Sequence, residues 1–516
     1  MTFYLELLCG LVALAIATYY YLTSTYEFWT QRGIPGPKPV LFYGNTKDVA
    51  REKLSMGCYL KKIYDEYQNE PMVGLFARRS PVLLLNDPDL IKNVLIKDFS
   101  MVADRGMPVF EKTEPLSQHL FSLEPERWRP LRLRLSPIFT SGKLKEMFSI
   151  ILKCSDDLEK YLDTLVAKGE PIECRDLTSK FTVDVIGNCA FGIEANSLVD
   201  GETEFTRMAK LIFNLDFFRH MKILIRQLAP PIYTLLGYIF PETEMTKFFT
   251  KIIIDTMEYR KKNNIYRPDF VNALLDLQKN PEKLENISEY GKHSFTITMV
   301  VINELTDSFF AAQAFVFFIA GFETSSSTIS NALYELALNP KVQDKLREEI
   351  AQSYAKNKDL TYNSIKDMPY LDKVFQETLR KYPVVTFLMR KTATEYTFEG
   401  TKVTIPKNTR IWISNFGIHR NPNIYPNPEV FDPERFNEDA VAARHPMYYL
   451  PFGDGPRNCI GARFALYQTK LGIIKILRNH RVEVCEKTQI PLKIKPTFFM
   501  MTPEDGIHLK IVKTES

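Results

Sequence analysis

A single cysteine lies in the stretch PFGDGPRNCIGARFA, Pro451 to Ala465, among three glycines and two arginines and directly before a run of helix formers. Glycines let a backbone turn tightly and approach a flat ligand closely. A sulfur that meets backbone N–H groups at a helix N-terminus is held as a thiolate, which is the form that ligates metals. The pattern predicts that Cys459 is a ligand rather than a structural cysteine.

Composition excludes several other chemistries for this stretch. The chain has seven cysteines, which are scattered and form no C-x-x-C pair, so neither a disulfide framework nor a zinc module is expected. The G-x-G of Gly453 and Gly455 lacks the third glycine and the strand–helix frame of a dinucleotide loop. A net charge of +4 over 516 residues does not favour nucleic-acid binding, and the seven histidines are too dispersed to predict a metal site.

The elements that must position Cys459 are mostly helices. Apolar periodicity predicts helices near 53–68, 142–167, 177–195, 203–220, 243–262, 302–337, 340–356, 367–381 and 462–479. Short β-rich runs occur in MVGLFA, PVLLL, VTIPKNTRIWIS and GIHLKIVK, close to the two ends of the chain. The predicted fold class is mainly α with a minor β part, and no linker or repeat divides the chain.

An apolar run precedes this globular part. Phe3 to Leu22 carries one charge, and at about 1.5 Å per residue it would span roughly 30 Å of hydrocarbon. A secretory signal peptide is the alternative, but no Lys or Arg precedes the run, whereas Arg32 and Lys38 follow it and predict a cytosolic globule. RGIPGPKPV reads as a stiff hinge. The predicted division is an anchor over 1–23, a proline-rich hinge over 24–40 and a catalytic domain over 41–516.

The cysteine stretch resembles the haem-binding loop of the cytochrome P-450 superfamily, and the resemblance extends along nearly the whole chain. Phe452, Gly455, Arg457, Cys459 and Gly461 fit its F-x-x-G-x-R-x-C-x-G motif. The resemblance implies the cytochrome P-450 fold, a large helical domain plus a small β-rich region, with haem b (iron protoporphyrin IX) as cofactor. Cys459 would be the axial ligand of the haem iron, a thiolate that favours O–O cleavage.

Two further sets of residues match the superfamily. Glu377 and Arg380 fit E-x-x-R, and Arg435 in FDPERF would close a buried triad with them that supports the cysteine loop. The resemblance assigns a second set to haem binding, because guanidinium groups suit the propionates. This set consists of Trp128 and Arg132 in ERWRPLR, Arg390 in FLMRK, and Arg457.

The apolar segment QAFVFFIAGFETSSSTISNALYEL contains the remaining motif. Ala320 and Gly321 share a helix face with Thr324, and small residues there would let haem and O2 approach, while glycine and hydroxyl groups would loosen the helix. Glu323 and Thr324 resemble the acid–alcohol pair of the superfamily and are the predicted catalytic residues. Thr324 would hydrogen-bond the bound oxygen and an ordered water, and Glu323 would relay protons from solvent.

Within the superfamily the chain looks most like the insect family 6 microsomal monooxygenases. This implies insertion of one atom of O2 into small hydrophobic substrates, xenobiotics such as plant allelochemicals or insecticides. NADPH–cytochrome P-450 reductase would supply electrons, with cytochrome b5 as a possible second partner, at the endoplasmic reticulum membrane. Open alternatives are oxidation of an endogenous lipid or hormone, a haem-thiolate isomerase or dehydratase, and a non-catalytic haem-binding protein. The Glu323–Thr324 pair disfavours the last two.

The layout of the superfamily also implies which segments line the substrate pocket. They are Arg105 to Leu120, the 211–221 stretch with Phe213, Phe217 and Phe218, Phe315 to Thr324, Val384 to Met389, and Phe498 to Met500. Phenylalanine and methionine side chains suit planar apolar ligands. Leu228 to Phe240 is apolar and interrupted by proline, and is expected to dip into the membrane near the substrate entrance.

Overall fold

The computed structural model describes residues 2–199, 201–213, 221–222, 225–226, 229–239, 244–267, 269–280, 305–357, 359–496 and 500–514. Its longer helices are Thr2–Thr23, Met56–Glu66, Pro125–Leu135, Ser141–Val166, Cys174–Ile186, Glu204–Phe213, Pro230–Ile239, Glu244–Lys262, Phe270–Lys279, Asp307–Leu338, Pro340–Asn357, Pro369–Lys381 and Ala462–Asn479. Shorter helices are Lys47–Ala50, Pro88–Lys92, Tyr362–Lys366, Asn415–Ile418 and Glu438–Ala442. The predicted class, mainly α with a minor β part, is confirmed.

Three helices carry the site and are named here. The central helix is Asp307–Leu338, the E-x-x-R helix is Pro369–Lys381, and the cysteine helix is Ala462–Asn479. The central helix packs against the helices Cys174–Ile186 and Glu244–Lys262 and against the cysteine helix. It is apolar because neighbours surround most of it.

The β part consists of small sheets. In the largest, Met72–Ala77 pairs antiparallel with Ser80–Leu85, which runs parallel to Arg410–Ile413, and Leu388–Lys391 closes the far edge antiparallel. A second sheet contains Ile172–Glu173, His508–Lys513 and His480–Glu483, and a third pairs Tyr396–Thr397 with Thr404–Ile405. The largest sheet is apolar on both faces: Leu83 and Leu85 join one cluster, and Val82 and Leu84 join another.

The segment predicted as a hinge, over 24–40, is packed on the largest sheet. Trp29 is buried and its indole N–H donates to the Leu75 carbonyl oxygen at 2.8 Å. The indole fits because Gly74 has no side chain, since a Cβ there would lie 2.3 Å from Trp29 Cγ. The Gly74 N–H donates to the Pro35 carbonyl oxygen at 2.8 Å. The folded body therefore begins before residue 41.

The Thr2–Thr23 helix has a different character from this segment. None of its residues is buried against the described part of the protein. Length and composition let two of the described helices cross a bilayer, Thr2–Thr23 and the central helix, and the second is largely enclosed by protein. A helix that is apolar all round and exposed needs an apolar environment outside the protein, which is what the predicted anchor requires.

Candidate functional site

Cys459 lies in the cysteine loop, Pro451–Gly461, just before the cysteine helix. Its backbone N–H donates to the Phe452 carbonyl oxygen at 2.9 Å, which closes the loop. Burial raises the pKa of the thiol, whereas the Gly461 N–H, Arg132 and Arg105 oppose that rise. The side chain nevertheless has accessible surface. A group that is enclosed by protein and still accessible faces an internal hollow.

Two glycines shape the loop, and they do so differently. Gly455 has φ +72°, and a Cβ there would lie 1.9 Å from the Leu95 carbonyl oxygen. Gly453 has φ +67°, but its nearest neighbour would be Leu388 Cδ2 at an ordinary 3.7 Å. Both positions favour glycine because φ is positive. Gly455 is also required because a backbone crosses directly over it.

A cluster of arginines lies beside Cys459. The Arg457 guanidinium lies 4.3 Å from the centre of the Trp128 ring and donates to the Leu123 carbonyl oxygen at 2.8 Å. Arg132 donates to the backbone and side-chain oxygens of Asn458, each at 2.9 Å, and so holds the loop itself. Arg390 lies in the strand Leu388–Lys391 and is likewise buried. The structure thus brings together the four residues predicted to bind haem propionates.

Arg105 joins this cluster, and the sequence had suggested it only as the first residue of a pocket segment. Its guanidinium donates to the carbonyl oxygens of Phe121 and Arg457, at 2.9 and 3.0 Å. Burial lowers the pKa of Arg105, and repulsion by Arg457 and then Arg390 lowers it further. No local motif marks Arg105, so only the fold reveals its place.

The cluster fits the anionic side of haem. Nε and Nη1 of Arg457 and Nε of Arg390 are buried without a hydrogen-bond partner among the described residues. Burial lowers the pKa of Arg457 to about 9 and that of Arg390 to about 10. Buried cationic donors without partners require an anion, and guanidinium groups suit carboxylates. A ligand with carboxylates on one side and a thiolate-binding metal matches these donors and Cys459.

The predicted support triad is assembled behind the loop. Arg380 donates to both carboxylate oxygens of Glu377, at 2.7 and 2.8 Å, and Arg435 Nε lies 3.5 Å from the same carboxylate. Arg380 also donates to the His419 carbonyl oxygen at 2.8 Å, and the His419 ring accepts from the Leu450 N–H at 2.9 Å. The triad is thereby connected to the residue that precedes the cysteine loop.

Phe452 gives a second connection between this triad and the loop. Its ring stacks on Phe375 of the E-x-x-R helix, with the ring centres 6.4 Å apart. Glu377 and Arg380 are fully buried on that same helix. A buried charge pair with this many hydrogen bonds holds one geometry, because any shift would leave charges without partners.

The central helix meets the hollow at its middle. Ala320 is exposed although the residues from Ser325 to Ala337 are buried, so the helix faces open space inside the protein here. The Thr324 hydroxyl donates to the Ala320 carbonyl oxygen at 2.6 Å. The helix is continuous from Asp307 to Leu338, so the loosening expected around AGFET does not break it.

Gly321 allows close packing of the central helix against a neighbour. A Cβ at this position would lie 2.1 Å from Ile186 Cδ1, on the neighbouring helix Cys174–Ile186. The missing side chain therefore allows two helices to pack closely, a role that the sequence did not predict for Gly321. Its position one residue along from Ala320 rotates it by about 100° around the helix axis, away from the hollow.

Glu323 is buried and paired. Arg175, on the helix Cys174–Ile186, donates to the Glu323 carboxylate, and the Ser327 hydroxyl donates to the same oxygen at 3.3 Å. Burial raises the pKa of Glu323, while Arg175 and Ser327 partly offset the rise. Because Arg175 is only part-buried, it connects the carboxylate to the protein surface. No sequence motif identified Arg175 as this partner.

Some of the segments predicted to line the substrate pocket contact one another in the described part of the chain. The His119 ring lies 6.3 Å from the Phe315 ring and 6.5 Å from the Phe121 ring, between ring centres. Val385 forms a backbone bridge with Met500, so the chain near the C-terminus does reach the Val384 to Met389 segment. Phe217, Phe218 and Phe498 lie outside the described residues.

Comparison with known proteins agrees with this geometry. The family model described as Cytochrome P450 matches residues 34–511. Cytochrome P450 6A1 of Musca domestica is 40% identical over 514 residues, covering 98% of this chain and 97% of the relative. Cytochrome P450 6B2 of Helicoverpa armigera is 39% identical over 500 residues, and Cytochrome P450 6B1 of Papilio polyxenes is 39% identical over 512. These alignments cover 97% and 99% of this chain and 96% and 100% of the two relatives.

Proposed function

The chain belongs to the cytochrome P450 family and is a monooxygenase, and from this premise we propose that it oxidises small apolar xenobiotics at the endoplasmic reticulum membrane. NADPH–cytochrome P-450 reductase would deliver the electrons, with cytochrome b5 as a second donor. The observation that carries the proposal is the placement of Cys459 beside buried arginines whose donors lack partners among the described residues. Haem, when bound there, supplies the iron at which O2 is activated.

The residues of this chain have separate tasks in the proposed reaction. Cys459 would hold the iron, and the donors of Arg457 and Arg390 that lack a partner among the described residues would hold the propionates. Thr324 presents a hydroxyl at the hollow, and Glu323 passes protons from the side of Arg175 towards it. Burial raises the pKa of Glu323, which makes its carboxyl group a better proton carrier than an exposed glutamate.

Membrane attachment is proposed from two surfaces. The Thr2–Thr23 helix is long enough to span a bilayer. The helix Pro230–Ile239 exposes Ile232, Leu235, Tyr238 and Ile239. Exposed apolar side chains on a short helix favour the membrane interface, and this helix would rest there while the catalytic domain stays on the cytosolic side. Apolar substrates dissolved in the membrane would then have a short path to the protein.

The first experiment asks whether Cys459 ligates haem iron. Membranes containing the chain and a reductase are reduced with dithionite, and the CO difference spectrum is recorded. We expect the strongly red-shifted Soret band of thiolate ligation for the wild type and for the control Cys485→Ala, and loss of this band in Cys459→Ala. A band that survives in Cys459→Ala would contradict the assignment of the ligand.

Turnover then separates the alternatives. Apolar plant compounds and insecticides are compared with fatty acids and steroids, with and without NADPH. Product that requires NADPH and forms mainly from the first group supports the proposal, and preference for the second group would assign the endogenous role. Turnover without NADPH would instead indicate an isomerase or dehydratase. Haem that accepts no electrons from the reductase would indicate a binding protein.

A further inference from the structure

Gln313 is a fully buried amide in the second turn of the central helix. Its Nε2 donates to the carbonyl oxygens of Gln118, at 2.8 Å, and of Phe309, at 3.2 Å. Its Oε1 accepts from the Leu120 N–H at 2.8 Å. Both N–H donors of the amide and one acceptor site on its oxygen are therefore used within the protein. Two of the three hydrogen bonds go to the backbone around Leu120, which is 193 residues away in sequence.

The hydrogen bonds from Gln313 to Gln118 and Leu120 lie on either side of a single residue, His119. Gln118 and Leu120 flank His119, so the Gln313 amide bonds to the peptide groups on both sides of it, as a neighbouring strand would. Fixing these groups restricts the φ and ψ of His119 and so the direction of its ring. The Gln118 side chain adds a bond to the Ser308 hydroxyl, at 3.2 Å, near the start of the central helix.

The segment Gln118–Leu123, here called the pocket loop, is also tied to the arginine cluster. The Phe121 carbonyl oxygen accepts from Arg105 at 2.9 Å, and the Leu123 carbonyl oxygen accepts from Arg457 at 2.8 Å. The Arg105 guanidinium lies 4.1 Å from the centre of the Phe121 ring. The loop is therefore held at both ends, by Gln313 on the central helix and by the arginines beside Cys459.

His119 is the polar side chain whose direction these backbone hydrogen bonds fix. Its ring lies between Phe315 and Phe121, and Ser122 Oγ is 3.3 Å from its ring nitrogens. Burial lowers the pKa of His119 to about 4. The imidazole is therefore neutral at physiological pH and offers one donor and one acceptor among aromatic rings. A small change in the loop would move this group relative to the central helix.

We propose that Gln313 is a positioning residue for substrate selection, which sets the wall formed by His119 and Phe121 by holding their backbone to the central helix. The inference rests on the proposed function, because it assigns that wall to the substrate pocket. It concerns the fit of bulky ligands and not the attachment of haem, since Gln313 bonds to Gln118 and Leu120, whereas Leu123, at the other end of the loop, bonds to Arg457.

The test measures ligand size discrimination by optical titration of the ferric holoenzyme. Imidazole and clotrimazole both bind haem iron through an imidazole nitrogen, and the second is far bulkier. Gln313→Leu keeps the side-chain volume and removes the three hydrogen bonds. We expect its ratio of clotrimazole to imidazole affinity to differ from wild type by about tenfold or more, since peptide groups left without partners make the loop shift.

The chain provides a matched control in Gln343. This amide is equally buried, donates to the carbonyl oxygens of Leu336 and Val482 at 3.1 and 2.9 Å, and accepts from the Val482 N–H at 2.9 Å. It joins the helix Pro340–Asn357 to the strand His480–Glu483, away from the pocket loop. Gln343→Leu should therefore cost similar stability and leave the affinity ratio within about twofold of wild type.

His119→Ala tests the route of the effect. If Gln313 acts through His119, the double variant should change the ratio no more than the larger single change. Hydrogen exchange at the Leu120 amide should rise in Gln313→Leu and not in Gln343→Leu. An unchanged ratio with a normal CO spectrum would overturn the inference alone. Absence of the thiolate CO band from the wild type would overturn the proposed function and the pocket role of Gln313 with it.

Discussion

At the scale of single residues, the pairing of Glu323 with Arg175 is a contact that no local sequence pattern predicts. The two residues are 148 positions apart and meet where two helices pack. Burial raises the pKa of Glu323, and the Arg175 guanidinium is the largest of the effects that oppose this rise. The ion pair therefore limits the rise in the pKa of Glu323 that burial causes.

Replacing Arg175 by methionine should destabilise the protein in a pH-dependent way. Without its cation the pKa of Glu323 rises further, so ionisation of the folded state becomes costly as pH increases. We expect a small difference from wild type at low pH, where Glu323 is protonated in both proteins. The difference should approach about 3–5 kcal/mol near neutral pH, which is typical of a broken buried pair. Thermal unfolding across this pH range measures it.

The controls for this prediction come from the same chain. Lys153→Met removes a surface pair with Glu194, whose side chains are 73% and 65% exposed and 3.4 Å apart, and should cost less than about 1 kcal/mol at every pH. The double variant Arg175→Met with Glu323→Gln should recover stability at neutral pH because no buried charge remains. A destabilisation that does not vary with pH would contradict the assigned cause.

At the scale of elements, the cysteine loop packs closely against the helical turn Asn93–Lys97, which contains Leu95. Gly455→Ala would place a Cβ 1.9 Å from the Leu95 carbonyl oxygen, in addition to the cost of about 1–2 kcal/mol for alanine at positive φ. We expect loss of the thiolate CO band per mole of protein and a lower unfolding temperature. Both are measured on the same membrane preparation.

Gly453→Ala measures the cost of positive φ without the steric clash that Gly455→Ala would create with Leu95. It has nearly the same φ, +67°, but its Cβ would meet Leu388 at an ordinary 3.7 Å. This variant should lose only the conformational cost and retain most of the CO band. Equal losses in the two variants would mean that positive φ alone, and not the contact with Leu95, makes Gly455 necessary.

The elements differed in how far local sequence predicted them. The cysteine helix was predicted over 462–479 and runs over Ala462–Asn479, because its apolar residues repeat at helical spacing and Gly461 precedes it. The helix Pro125–Leu135, which carries Trp128 and Arg132, was not predicted. It contains Pro130, which disfavours a helix interior, and its four arginines leave only a weak apolar periodicity to recognise. Packing of Trp128, Leu131 and Leu135 in the core stabilises it.

At the scale of the whole molecule, the N-terminal part divides into an exposed helix and a docked segment. The Thr2–Thr23 helix buries none of its residues, whereas Trp29 and Ile34 are buried in the cluster against the largest sheet. Proline-rich composition predicts a stiff hinge over 24–40. Within that segment Trp29 is buried opposite Gly74, whose missing side chain leaves room for the indole, and burial of this large ring favours docking.

Removing residues 2–23 should therefore release the protein from integral membrane attachment without loss of fold. We expect the thiolate CO band to be retained and the chain to be extracted from membranes by alkaline carbonate, unlike the full chain. Removing residues 2–34 is the contrasting variant, since it deletes Trp29 and Ile34 and should abolish the band. Carbonate-resistant retention after removal of residues 2–23 would show that another surface inserts into the bilayer.

The sequence by itself determined the parts of this protein that depend on neighbours along the chain. These are the helical class, the apolar N-terminal helix, the spacing around Cys459, the pair Glu377–Arg380 and the hydroxyl at Thr324, because spacing within one loop or helix sets their geometry. The tertiary structure alone decided the addition of Arg105 to the arginine cluster, the packing role of Gly321, and the partners of Glu323 and Gln313. Those contacts join segments more than 100 residues apart, and packing of the whole core, which no local pattern encodes, brings them together.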